Sequence, residues 1–280
     1  MAAPLAINTN SGSLTAQRNL TSNSRGMSQS ISRLSSGLRI QSAADNAAGM
    51  AVSENMRAQQ GGFKQAIKNA NDGVAVLQTA ESGYQSISDI LIRMRELAVQ
   101  SANDSLSDTE RGFLDTEFDD LSTEITRISD VTEYNGIKLL DGTGADGAGN
   151  FEFQVGTRNT ADDRISVSLV GQASSDLGIS AASISSQAGA QGAISLLDDA
   201  LEGLSDDRAR IGSTINELHH AVDNLSATVE NYGNALSQIR DADMAEESAE
   251  FAKRNVLQQA GVSMLSQANQ SPQLVLRLLG

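Results

Sequence analysis

Cysteine is absent from the 280-residue chain, which excludes disulfides, thiolate metal sites and thiol nucleophiles together. A cytosolic protein and an exported one without covalent staples fit this equally. Tryptophan is absent too, and the aromatic residues are six Phe and three Tyr. A core must then be built from Leu, Ile, Val, Ala and Met, which suits a thin helical bundle better than a wide globule. Basic residues are outnumbered 20 to 35 by acidic ones, for a net charge of -15. With no long basic stripe, the footprint expected for a nucleic-acid partner or an anionic bilayer is missing. Acidic charge on such a chain mainly keeps it soluble. Residues 1–10 lack a basic start and an apolar core, and no run of 18 apolar residues occurs, so membrane insertion is not expected. If the protein leaves the cell, the expectation is a route without a cleaved signal peptide.

Clusters that carry chemistry are also scarce. The two histidines, His219 and His220, are adjacent and point about 100° apart on a helix, so they do not share a metal as His-x-x-x-His would. The acidic, Gly-rich stretch Asp141–Asn150 lacks the Asp-x-Asp-x-Asp-Gly order of a calcium loop and reads as a plain flexible loop. No glycine loop of the phosphate-binding kind follows a strand. No cofactor and no metal is expected, and an enzyme is the least supported class.

What the sequence does contain is a long apolar seam. Met56, Phe63, Ala70, Leu77, Tyr84, Leu91 and Ala98 stand seven apart, with Ala66, Gly73, Ala80, Ile87 and Met94 on a companion track. This repeat predicts one helix over residues 43–100 with a narrow seam that other helices must cover. Such a helix spans about 87 Å, whereas a compact globule of this length would be about 50 Å across. The expected fold is mainly α: a long antiparallel helical bundle or coiled-coil rod with a small β-hairpin region.

Along the chain, Leu20, Met27, Ile31, Leu34 and Leu38 recur at helical spacing in a segment rich in Ser, Thr, Asn and Gln. Two readings stay open for it: a frayed terminal helix, or one that orders against a partner. The stretch 33–40, flanked by Arg33 and Arg39, interrupts the pattern at Ser35-Ser36-Gly37 and reads as a hinge or connector, with Asp45-Asn46 as a helix start. Ser107 and Glu110 form a capping box for a second helix to about Ser129, whose Leu114, Phe118, Leu121, Ile125 and Ile128 should pack back on the first. Asn135-Gly136 marks a turn, and Phe151, Phe153, Val155 and Ile165, Val167, Leu169 alternate as strands, which places the hairpin region at about 135–171. The seam resumes from Ala193 to Ile239, broken by Arg208, which is either a register device or an interface contact. A last helical stretch carries Phe251, Leu257, Met264 and Leu265, and the apolar ending holds Leu274, Leu276, Leu278 and Leu279. Apolar residues at both ends point to a partner surface, and the two ends can pair with each other.

The segments Ser13–Leu20, Ser32–Ile40, Ser42–Gly49, Arg93–Gln100, Ser237–Glu246 and Met264–Asn269 together resemble bacterial flagellin over nearly the whole chain. The resemblance implies a secreted structural subunit that self-assembles into the flagellar filament for swimming motility. By it, residues 1–33 and 242–280 form a terminal coiled coil in the inner tube, 34–43 a spoke linker, and 44–239 the helical rod of the next shell. Only the hairpin region stands where flagellins commonly carry a large variable outer region, so a thin, smooth filament is implied. Assembly residues so assigned are Leu20, Met27, Ile31, Arg33, Leu34, Leu38, Arg39, Phe251, Leu257, Met264, Leu265, Leu274, Leu276 and Leu279. Arg93, Leu97 and Glu117 fall where similar flagellins contact the host Toll-like receptor, a patch that also serves subunit stacking. Implied partners are further copies of the chain, the flagellar export apparatus and its export chaperone, the filament cap and the hook-junction proteins. One departure is Ser213–Leu218, where the family usually has a Gln-Asn-Arg run, and it bears on lateral contacts. A hook-filament junction protein of the same family is the alternative, and a chemoreceptor signalling rod fits less well because it lacks a β region.

Overall fold

The computed structural model describes the backbone of residues 10–279 and the side chains of residues 10–270. The chain is mainly α. Its elements run in the order α1 (Ser11–Ser36), α2 (Ala47–Ser101), α3 (Asp108–Val131), β1 (Glu133–Tyr134), β2 (Ile137–Lys138), β3 (Asn150–Gln154), β4 (Arg164–Ser168), α4 (Gln187–Arg240) and α5 (Met244–Leu279). Two compact units result, one holding residues up to 58 and from 232 onward, the other residues 59–231.

In the second unit the predicted seam is the core. Leu77, Ala80, Tyr84, Ile87, Leu91, Met94 and Ala98 of α2 are buried against Leu197, Leu204, Ile211 and Leu218 of α4 and Phe118 and Ile125 of α3. The helices run antiparallel, because rising numbers on α2 meet falling numbers on its neighbours. Gln60 donates to the Val229 carbonyl at 3.2 Å, Arg208 pairs with Glu81 at 2.8 Å, and Arg95 pairs with Asp198 at 2.6 Å. On the other flank Arg93 meets Glu117 at 2.9 Å, and Arg111 donates to the carbonyls of Ser101 and Asn103. Arg111 is buried, so its guanidinium meets the free carbonyls at the end of α2 that water would otherwise serve. The charge that breaks the α4 seam is thus held within the chain, with Arg208 also donating to Gln85 Oε1 at 2.7 Å.

Local chemistry sets the ends of the helices. Asn46 Oδ1 accepts from the Gly49 N–H at 2.9 Å and starts α2. The helix starts at Ala47, directly after the Asp45-Asn46 start signal and not at residue 43, because Asp45 holds the chain in a turn, accepting from the N–H groups of Gln41 and Ser42. These N–H donors, Ser42 first, hold the Asp45 carboxyl below its ordinary range. At α3 the Ser107–Glu110 capping box is complete. The α4 helix begins at Gln187 and not at Ala193, with Ser186 Oγ accepting from Gly189 N–H at 3.2 Å. Its opening turn buries Ala190, which extends the seam read from Ala193 by one small residue.

Asn135 and Gly136, at φ 52° and 79°, both occupy the left-handed region, as a two-residue type I′ turn requires between β1 and β2. The antiparallel β3 and β4 pair Phe151 with Val167 and Phe153 with Ile165. Their apolar face lies on α2 over Gly73, where a methyl group would meet the Phe153 ring at 2.9 Å. The absence of a side chain there lets the hairpin sit down on the helix. Ile179 and Ile184, in a Ser-rich segment, complete the core.

Candidate assembly surface

The unit holding both ends of the chain is built on α1 and α5. Asn10 Oδ1 accepts from Ser13 N–H at 3.0 Å to open α1, and Gly37, at φ 71°, closes it. Asp243 Oδ1 accepts from Ala245 N–H at 2.8 Å to open α5, with Glu246 and Glu247 in its first turn, where the helix dipole favours anions. The two helices pack antiparallel through small and polar residues. Ser13 donates to Asn269 Oδ1 at 2.8 Å, Asn23 donates to the Arg254 carbonyl at 2.8 Å and to Gln258 Oε1 at 3.2 Å, and Arg33 lies 3.6 Å from Glu247. Gly26 leaves the space that the Arg254 guanidinium fills, and Leu20 leans over Gly261. The Nε atoms of Arg33 and Arg254 are buried here without a hydrogen-bond partner among the described residues.

Many of the apolar side chains point elsewhere. Leu14, Ile31, Leu257 and Val262 are exposed, as are Val256 at 65% and Met264 at 62%. The two ends pair, as expected, and Ile31, Leu257 and Met264 stay exposed outside the pairing. Polar residues took the inner face, and these three stand outward. Leu20, Met27, Leu34, Phe251 and Leu265 are partly buried. Leu274, Leu276 and Leu279 belong to α5, but their side chains lie outside the described ones.

The connector after α1 is a second strand-like contact in this unit. Leu38 bridges Asp241, Arg39 N–H donates to the Arg240 carbonyl at 2.7 Å, and Ala242 N–H donates to the Gly37 carbonyl at 2.9 Å. The Arg39 guanidinium donates to the carbonyls of Gln238 and Ile239 at 3.1 and 2.6 Å, closing the free end of α4. Arg240 then pairs with Glu54 of α2 at 3.0 Å. The chain between the helices is thus tied down by named donors, and Ile40 beneath it is buried.

Of the patch read from the sequence, the structure joins Arg93 and Glu117 but not Leu97. Arg93 donates through Nε and Nη2 to Glu117 Oε1 at 3.2 and 2.9 Å, and through Nη1 to Glu96 at 3.1 Å. Glu117 first, then Glu96, stabilises the charged guanidinium. Leu97 is 1% exposed and belongs to the core. Four residues advance a helix by about 400°, so Leu97 is rotated some 40° from Arg93, enough to cross from solvent to core. Exposed apolar residues near this end of α2 and α3 include Ile92, Val99 and Phe113, the last 71% exposed. Their exposure had no signal in the sequence, since apolar residues off the seam look alike whether covered or not. His219 and His220 are both exposed, and among the described residues no group of three His, Cys, Asp or Glu is placed to hold a metal. No described helix is long and apolar enough to cross a membrane.

One unit is an antiparallel pair of terminal helices with exposed apolar side chains, and the other is a helical unit with its own apolar core. Residues 7–145 match the bacterial flagellin N-terminal helical region, and residues 194–279 match the bacterial flagellin C-terminal helical region. The chain belongs to the bacterial flagellin family. It is 41% identical over 275 residues to a flagellin of Halalkalibacterium halodurans, covering 98% of this chain and 100% of that protein. It is 37% identical over 287 residues to the flagellar filament 33 kDa core protein of Treponema phagedenis, covering 98% and 100%. The crystal structure of Bacillus cereus flagellin superposes with a TM-score of 0.50 at 31% identity, over 56% of this chain and 88% of that one. The alternative of a hook-filament junction protein is not better supported.

Proposed function

We propose that copies of this chain polymerise through the outward faces of α1 and α5, as a structural subunit of the bacterial flagellar filament. The observation that carries this is the division of labour on those helices: polar, small and some partly buried apolar residues hold the pair together, while Leu14, Ile31, Val256, Leu257, Val262 and Met264 stay exposed. Fully burying a side chain such as Val256 or Met264 is worth about 1.5–3 kcal/mol, whereas each neutral hydrogen bond within the pair is worth about 1 kcal/mol. Most of the available stabilisation therefore lies in covering the outer face. In this reading residues 1–33 and 242–280 form the inner tube, 34–43 the spoke, and 44–239 the surrounding shell. The Leu38–Asp241 pairing supports the assignment of 34–43, because it gives the connector a defined path.

The test is sedimentation and electron microscopy of Val256→Asp, Met264→Asp. Exposed in the monomer, these changes should leave its circular dichroism and unfolding midpoint unchanged and abolish filament growth. Normal filaments from the double variant would defeat the proposal.

The same reading makes the protein a non-enzyme that reaches the cell exterior without a cleaved signal peptide, handled by the flagellar export apparatus and its chaperone and finished by the cap and hook-junction proteins. Recognition by the host Toll-like receptor would use the Arg93–Glu117 pair. Leu97 contributes to it by supporting the helix from below.

A further inference from the structure

A cleft of about 320 Å³ opens between α4 and the segment 170–177, inside the unit of residues 59–231. Asp176, Asp199, Asp206 and Asp207 line it, against the single cation Arg210. Asp207 is served: it accepts from Gln172 Nε2 at 2.9 Å and pairs with Arg210. The carboxylates of Asp176, Asp199 and Asp206 have no partner among the described residues. A second feature is independent of this charge. Gln172, in the cleft wall and 2% exposed, has an amide oxygen with no hydrogen-bond partner, while its nitrogen is engaged by Asp207 and the Val170 carbonyl. A buried acceptor left unmet calls for an N–H donor.

The donor set fits one class of ligand. Among the described residues these carboxylates are not grouped closely enough for a metal ion. Separated carboxylates beside an amide oxygen suit an N–H cation on a long stem, which reaches in and shares its protons among several acceptors.

We infer that this cleft receives a lysine from a second copy of the chain, and that Lys64 and Lys68 supply it. Lys138 pairs with Asp130 and Lys253 with Glu250, whereas Lys64 and Lys68 are exposed and without a partner among the described residues. They stand four apart, on one face of α2. They do not reach the cleft of their own chain. Arg208 fixes that part of α4 beside Glu81 and Gln85, and Lys68 lies about 20 Å from Glu81 along the helix at about 1.5 Å per residue. Complementary groups at two different heights of one subunit meet head to tail, and a head-to-tail contact that does not close on itself propagates as a filament. The inference rests on the filament reading and names one of its contacts.

Carbodiimide, which joins a lysine amine and a carboxylate as an amide and itself leaves as a urea, tests it on filaments grown from an equal mixture of 14N and 15N subunits. Mass spectrometry should find mixed-isotope peptides joining Lys64 or Lys68 to Asp176, Asp199 or Asp206 in filaments and none in monomer. Filaments whose cleft aspartates join no lysine of another copy would overturn the inference and leave the filament reading standing. A chain that never polymerises overturns both. As a second arm, Asp199→Lys, Asp206→Lys should raise the critical concentration for polymerisation by about fivefold or more, and adding Lys64→Glu, Lys68→Glu should restore it. Failure of the reversal to restore growth also overturns the inference.

Discussion

Arg93 and Leu97 stand four residues apart and do different things. Leu97 is buried among α2, α3 and α4, so Leu97→Ala leaves a cavity and should cost about 2–5 kcal/mol, read as a lower urea midpoint. Arg93 is half exposed and pairs with carboxylates that are themselves exposed, so Arg93→Ala should leave the midpoint nearly where it was. A loss of partner binding in Arg93→Ala then reports the surface, and the same loss in Leu97→Ala reports the fold. An equal fall in midpoint for both variants would contradict this division. The sequence placed both residues on the right helix, but one rotation of about 40° separates surface from core, and spacing alone does not resolve that.

At the scale of elements, features written locally were legible. The Ser107–Glu110 box was, because its chemistry involves four consecutive residues and little else. Glu110 accepts from Ser107 N–H and Oγ at 2.8 Å, which holds its carboxyl below the ordinary 4.5. A depressed value means the contribution is present above the ordinary range and is lost as pH falls through the lowered one. Glu110→Gln should therefore weaken the start of α3 near neutral pH and make no difference in acid, where the wild-type carboxyl is protonated as well. Amide exchange at residues 108–111 as a function of pH measures it, and a difference between the proteins that persists in acid would count against the box. Ser107→Ala should cost about 1 kcal/mol. The Asn135-Gly136 turn and the β3–β4 alternation were legible for the same reason. The start of α4 at Gln187, ahead of the seam read from Ala193, was not, since the turn before Ala193 offers only Ala190 to the core. Nor was the inner face of α1 and α5, where Ser13, Asn23 and Gly26 make contacts that only the packed pair defines.

For the whole molecule, the two units differ in what holds them. Residues 59–231 carry a continuous apolar core drawn from α2, α3, α4 and the hairpin, so they hold their structure without neighbours. The α1–α5 pair buries few large side chains and keeps its apolar ones outward, so its stability should come mainly from other copies. The most direct measurement is amide hydrogen exchange on the purified monomer and on the assembled filament. Residues 14–31 and 250–268 should exchange quickly in the monomer and become strongly protected in the filament, while the α2 core from Leu77 to Ala98 is protected in both. Strong protection of residues 14–31 and 250–268 before assembly would contradict this.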